Sequence, residues 1–355
     1  MFSLSVCLIA KNEEKILARC LNCVRQFADE IVIVDTGSTD KTKAIASVFT
    51  KNVYDFSWVN DFSKARNFSF EKASCDFIMW LDADDVVTNE NIKKINELKK
   101  INFPADVYFF KYDIAFDESG NSTFSYYRER IVRRSMNFKW EGFVHEVIVP
   151  RGKIERVEIS IEHRKIGLNP PKRNLLIYEE KIKGGVNFSP REQFYYAREL
   201  FFNNKIKKCV KILKKYLKNE NLFLANKIDA HVILAKCFLA LNSPQEAKNI
   251  LIDSMKALAP SAEICCLLGE LEAQTNLESA RFWFETALNC KKNYESGAFV
   301  EENFYGLIPC LNLCLINYKQ GNIEKAKEFH EKSKVFSPKN PSVLYNEEFF
   351  KKLKN

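Results

Sequence analysis

Asp82, Asp84 and Asp85 close a short apolar run, Phe77-Ile78-Met79-Trp80-Leu81. The run has no helical period and reads as a buried strand. Three carboxylates at its end repel one another, so something positive is expected among them. Asp82 and Asp84, two residues apart at the rim of a strand, can face one point where the chain turns away. A hard divalent cation, Mg²⁺ or Mn²⁺, shared with substrate phosphates suits that point best. The plainer explanation is an acidic turn ahead of a helix, with Asp85 as its cap.

The elements before this rim repeat the arrangement. Leu4 to Ala10 reads as a first strand, followed by Lys11-Asn12-Glu13-Glu14. A helical pattern then places Ile16, Leu17, Cys20, Leu21 and Val24 on one face. Glu30-Ile31-Val32-Ile33-Val34-Asp35 is a second buried strand ending in a carboxylate. A turn through Gly37 leads to a helix from Lys41 to Phe49, with Ser38 or Thr39 as its expected cap. Val53 to Phe56 is a third strand. This alternation predicts an α/β domain with a mostly parallel sheet, which binds ligands outside the carboxyl ends of its strands. Those ends carry Asn12, Glu13, Asp35, Asp82 and Asp84. No GxGxxG or GxxxxGK[ST] loop is present to cradle phosphate. An acidic rim without such a loop suits a nucleoside diphosphate held through a metal.

Composition sets wider bounds. The 355 residues are enough for two domains, and 46% apolar content is that of an ordinary globular protein. The net charge of +8 allows an anionic partner without demanding one, and nothing specific supports nucleic acid. Eleven cysteines are scattered without a framework. Cys20 and Cys23 form a CxxC with no second pair or histidine to complete a zinc site. Reduced core thiols are expected throughout, which implies a reducing compartment. No signal peptide or bilayer-length apolar segment is read, so a cytoplasmic location is expected.

Four stretches, in order, carry a resemblance. They are Cys7-Leu8-Ile9-Ala10-Lys11-Asn12-Glu13, Ile33-Val34-Asp35-Thr36-Gly37-Ser38-Thr39-Asp40, Trp58-Val59-Asn60-Asp61-Phe62-Ser63-Lys64-Ala65-Arg66-Asn67 and Asp82-Ala83-Asp84. The chain resembles the family 2 glycosyltransferases of GT-A fold, which use sugar nucleotides. More narrowly, it is similar to a bacterial subgroup with a helical repeat tail that includes the peptide glycosyltransferases of glycosylated bacteriocins.

The resemblance implies roles residue by residue. The backbone around Ala10 and the side chains of Glu13 and Asp35 would hold base and ribose. Asp82 and Asp84 would meet the ribose and the metal on the diphosphate, with Asp84 the direct ligand. Asp61, Arg66 and Asn67 would close over the nucleotide, while Trp58 is expected to pack the sheet. Arg128, Arg130, Arg133 and Arg134 cluster in a strand whose alternation turns half of them inward, and Arg130 is the one expected to contact phosphate. In Trp140-Glu141-Gly142-Phe143-Val144-His145-Glu146, Glu146 matches the family's acidic position for the base that deprotonates the acceptor. His145 is the rival base or an orienting neighbour. His163 matches a late histidine that often supplies a further metal ligand.

From about Ser189 the pattern becomes helix pairs. Cys209, Ala247, Ala280 and Ala326 are small residues in similar places of the second helices. Ala197, Ala235, Gly269 and Cys314 are their counterparts in the first helices. Ala247 and Ala280 lie 33 residues apart, near the ~34 of tetratricopeptide repeats. The expected organisation is a GT-A catalytic domain over 1–170, a linker helix over 171–188 and an α-solenoid over 189–355. Such solenoids bind peptides or self-associate, so a peptide or protein acceptor and a homodimer through the repeats are expected. The whole reads as a metal-dependent inverting glycosyltransferase using a nucleotide sugar, UDP-glucose or UDP-HexNAc first, on a Ser, Thr or Cys side chain. A cell-envelope saccharide or lipid-linked acceptor is the alternative, and a noncatalytic repeat adaptor is the rival from another class.

Overall fold

The computed structural model describes residues 1–166, 172–256, 259–292 and 300–353. They divide into two compact units, Met1–Ile114 with Tyr127–Asn187 and Ala115–Tyr126 with Phe188–Asn355. The expected chain break at Asn169-Pro170-Pro171 lies outside the described residues.

In the first unit the continuous apolar runs become strands buried on both faces. These are β1 (Leu4–Ala10), β2 (Glu30–Asp35) and β4 (Phe77–Asp82), with β3 (Val53–Asp55) at the edge. β1 pairs parallel with β2 and β4, and β2 pairs parallel with β3. The register sets Ala10 beside Asp35 and Ile9 beside Asp82. The rim read from sequence is therefore physically continuous. Helices α1 (Leu17–Val24), α2 (Thr42–Phe49), α3 (Phe62–Lys72) and α4 (Asn89–Leu98) supply the crossovers. On α1, Leu17, Cys20, Leu21 and Val24 are all buried. Each such aliphatic side chain contributes about 1.5–3 kcal/mol relative to leaving it in water.

Beyond β4 the sheet changes direction. A two-residue strand β5 (Asp85–Val86) precedes the long β6 (Val107–Phe116) and β7 (Ser122–Arg133). β7 runs antiparallel to β4. Two short strands, β8 (Trp140–Glu141) and β9 (Val147–Ile148), form an antiparallel ribbon of their own. β10 (Ile154–His163) pairs parallel with β6 and antiparallel with β5. The main order is β3-β2-β1-β4-β7-β6-β10-β5. Helix α5 (Arg173–Lys183) follows. Two local expectations are corrected. Ser38 and Thr39 do not cap α2, because the Ser38 hydroxyl accepts the Asn12 N–H instead. Asp85 does not cap α4, whose cap is Thr88.

The second unit is built of helix pairs: α6 (Pro190–Phe202) with α7 (Ile206–Tyr216), α8 (Leu224–Ala240) with α9 (Pro244–Ser254), α10 (Ala262–Glu272) with α11 (Leu277–Asn289), and α12 (Leu307–Lys319) with α13 (Ile323–Phe336). A last helix, α14 (Pro341–Lys352), follows. Ser189 and Glu192 form a reciprocal capping box at the start of α6. The small residues mark where helices approach: Ala197, Cys209, Ala235, Ala247, Ala280 and Ala326 have no exposed surface. A short strand β11 (Val300–Glu301) adds to the Phe124–Ser125 segment of this unit. All eleven cysteines are free thiols.

Candidate active site

The acidic rim is held from beneath. Asp85 is 1% exposed and accepts a hydrogen bond from Arg130 Nη1 at 3.1 Å. Its other oxygen accepts from the Tyr112 hydroxyl at 2.8 Å. Arg130 has no exposed surface and lies between the Trp80 and Tyr112 rings, 3.7 and 4.1 Å from their centroids. Two of its nitrogens, Nε and Nη2, have no hydrogen-bond partner among the described residues, and the two ring faces pack against the charge. The expectation that Arg130 contacts phosphate is therefore corrected. Strand alternation does turn it inward, but inward here means under the rim, where Asp85 takes its charge. The Asp82 N–H in turn donates to Asp85 Oδ2 at 3.0 Å, which fixes the turn carrying Asp82 and Asp84.

Above this support lies a cluster in which ligand atoms of Asp82, Asp84, Asp85 and His163 all fall within 4.8 Å of one another. The β5–β10 pairing brings it together by placing His163 opposite Asp85. His163 Nδ1 is 2.8 Å from the Tyr112 hydroxyl and 3.2 Å from Asp84 Oδ1. Burial opposes a charge on the imidazole, but hydrogen bonds to Asp84 and Asp85 outweigh it and raise the pKa to about 10. Burial likewise opposes the Asp82 carboxylate, and Arg66 and then Arg130 overcome it, holding Asp82 well below the usual range.

Arg66 is 7% exposed and joins the two chemical centres. Its Nη2 donates to Asp82 Oδ1 at 2.6 Å and its Nε to Glu146 Oε1 at 2.5 Å. The guanidinium is packed by Trp80 and Trp140, at 5.0 and 4.8 Å from the ring centroids. Glu146 Oε2 has no hydrogen-bond partner among the described residues. The loop that presents Glu146 passes through Gly142 at φ +99° and His145 at φ +55°. Arg128 Nη2 donates to the Glu146 carbonyl at 3.1 Å and to Glu129 at 2.9 Å. So Arg66, expected over the nucleotide, is instead the buried link between Asp82 and Glu146.

The remaining expected residues separate into two groups. Asp35 Oδ2 accepts the N–H groups of Gly37 and Ser38 at 3.0 and 2.9 Å, while its Oδ1 is buried without a partner. Glu13 is half-buried beside the cluster, and burial, then the charge of Asp84, raises its pKa to about 7. The Ala10 carbonyl already accepts from the Thr36 N–H at 2.9 Å and its hydroxyl at 3.2 Å. Asp61 caps α3, accepting from the Lys64 N–H, and is 4% exposed. Asn67 exchanges two hydrogen bonds with the backbone of Trp140, at 3.0 and 2.8 Å. Asp61 and Asn67, expected to close over the nucleotide, are engaged with the frame in this structure, Asn67 tying α3 to β8. Trp58 packs on Phe62. Tyr112, Trp80 and Trp140 escape sequence reasoning, since aromatic residues in strands signal only a core.

This sheet, with an acidic strand-end cluster and a carboxylate beside it, is the GT-A arrangement. Residues 5–163 match the model of glycosyl transferase family 2, a segment that ends on His163 itself. The chain is thus a glycosyltransferase, similar over residues 5–163 to family 2, with a tetratricopeptide-like helical region after that segment. Among its relatives is the SPbeta prophage-derived glycosyltransferase SunS of Bacillus subtilis (strain 168), 27% identical over 88% of this chain and 77% of that one. A tetratricopeptide (TPR) repeat-containing protein of Synechococcus elongatus is 41% identical over 24% of this chain and 21% of its own. The solved structure of S. aureus TarS 1–349 aligns over 90% of this chain and 92% of that chain, with 13% identity and a TM-score of 0.38, too loosely to inform the site.

Proposed function

We propose that the protein transfers a sugar, with inversion, from a UDP-sugar to a peptide or protein hydroxyl or thiol, and that the donor is held through Mg²⁺ or Mn²⁺. The observation that carries this reading is the Asp82, Asp84, Asp85 and His163 cluster linked through Arg66 to Glu146. The donor set fits a divalent cation. Asp84 Oδ2 and His163 Nε2 are unpartnered among the described residues, and the other imidazole nitrogen is held by carboxylates, as in many ligating histidines. Bound there, the cation would neutralise charge on the leaving diphosphate.

The chain's own groups account for the rest. Asp35 Oδ1, buried and unpaired, offers an acceptor for an N–H of the base. Glu13 would accept from a ribose hydroxyl. Glu146 Oε2 takes the proton of the attacking hydroxyl or thiol as its oxygen or sulfur bonds to the anomeric carbon and the bond to the diphosphate breaks. Arg66 fixes the orientation of that carboxylate. The helical-repeat tail supports a peptide or protein acceptor, because such solenoids present extended binding surfaces. Isothermal titration with UDP tests the donor half. Binding is expected to need Mn²⁺ or Mg²⁺ and to weaken at least tenfold in Asp84→Asn. Equal affinity in EDTA would exclude the metal-held diphosphate.

A further inference from the structure

We propose that the outer face of α7 docks the protein on an anionic phospholipid surface. Lys205, Lys207, Lys208, Lys211, Lys214, Lys215 and Lys218 fall in a stretch with no acidic residue between Glu199 and Glu220. All seven are exposed. The opposite face of the helix is anchored through Cys209, Leu213 and Tyr216. Lys208 and Lys214 lean over the rings of Tyr196 and Phe238, at 5.3 and 5.1 Å. Lys207, Lys211, Lys215 and Lys218 are in no ion pair among the described residues, and their spacing of four, four and three aligns them in one stripe about 16 Å long.

A merely solvated helix face explains this poorly. Like charges at i, i+4 destabilise a helix, and surface helices normally interleave the two signs. The second helix of the last pair does so: on α13, Lys327 pairs with Glu324 and Lys332 with Glu328. α7 instead concentrates one sign, with five lysines in the helix and Lys205 and Lys218 at its two ends.

The chemistry favours a lipid surface over other anions. Lysine is a hydrated point charge that responds to a diffuse potential, whereas planar, bidentate recognition of a phosphate or carboxylate uses the arginine fork. No arginine occurs between Arg198 and Arg281. In the sequence, exposed aromatic side chains stand on either side of the stripe, Phe202 at the end of α6 (66% exposed) and Phe223 just before α8 (56% exposed). A lysine face bordered by exposed aromatic groups is what lies flat on a charged bilayer surface. The docking holds whichever acceptor the active site takes.

The test is sedimentation of the full chain with vesicles of phosphatidylcholine containing about 30% phosphatidylglycerol, whose charge gives the stripe its partner. Co-sedimentation is expected with these vesicles and not with pure phosphatidylcholine, and about 0.5 M NaCl should release the protein. Each lysine near such a surface is worth about fivefold in partitioning, so K207E/K211E/K215E should lower it on the order of a hundredfold or more. K319E/K325E/K339E, the same charge change elsewhere on the helical unit, should still sediment. Thermal melts matching the parent protein show that both variants are folded. Equal loss in the two variants, binding to neutral vesicles, or retention on polyuridylate without vesicle binding would each overturn the proposal.

Discussion

Arg66 concentrates the most consequence in one side chain. Its fork joins a carboxylate of the candidate metal site to the proposed base, and both partners are largely buried, at 29% and 11% side-chain exposure. Removing the cation leaves two carboxylates facing each other. Arg66→Met is therefore expected to destabilise the fold by roughly 2–3 kcal/mol, below the full cost for a wholly buried pair because Asp82 reaches solvent. It should also lower turnover by on the order of a hundredfold. Arg66→Lys keeps the charge without the fork and should fall between. Melting curves and UDP release check this, and an Arg66→Met protein with parental values would remove Arg66 from the account. Glu13 gives a pH signature. Its pKa is raised from 4.5 to about 7, so the folded state holds more protons than the unfolded chain between those values. Stability must then fall as pH rises through that window and stay lower above it. In EDTA, Glu13→Gln should be more stable than the parent at pH 8 by on the order of 1 kcal/mol, discounted for its exposure, and no more stable near pH 4. An identical difference at both pH values would show that Glu13 carries no such shift.

Among the elements, the helix pairs depend on small residues where they cross. A Cβ on Gly269 of α10 would lie 2.8–3.0 Å from three ring atoms of Phe284 on α11, and Phe284 is wholly buried. Alanine gains at most about 1 kcal/mol of helix propensity. Overpacking a closed core costs about 1–3 kcal/mol. The clash should win, so Gly269→Ala is expected to lower the melting temperature; a rise would mean that the ring has room to move. Small residues in matching places of successive helices, 33 residues apart at Ala247 and Ala280, made these pairs legible in the sequence, and period-free apolar runs ending in Asp35 and Asp82 did the same for the rim. What stayed hidden were partnerships between distant residues. Asn67 reads as part of a nucleotide-binding motif until Trp140, 73 residues on, takes both ends of its amide. Asp85 reads as a helix cap until Arg130 reaches it from β7. Alternation shows that an arginine turns inward, but not whether inward means the ligand or the layer beneath it.

At the scale of the molecule, the proposed chemistry and the proposed docking fall to different parts of the chain. The first unit carries the carboxylates and histidine, while the second supplies repeat surfaces and the lysine stripe. This division predicts that reversing the α7 lysines leaves donor turnover unchanged. The proposed chemistry is metal-assisted cleavage of a sugar–diphosphate bond at the Asp84 and Glu146 site. It is tested most directly by UDP release from a panel of UDP-sugars, with Mn²⁺ or Mg²⁺ and with EDTA, in the parent protein, Asp84→Asn and Glu146→Gln. Release is expected from one preferred donor, lost in EDTA and in Asp84→Asn, and reduced on the order of a hundredfold or more in Glu146→Gln while UDP still binds. Release that persists in EDTA, or at parental rate in both variants, would contradict it.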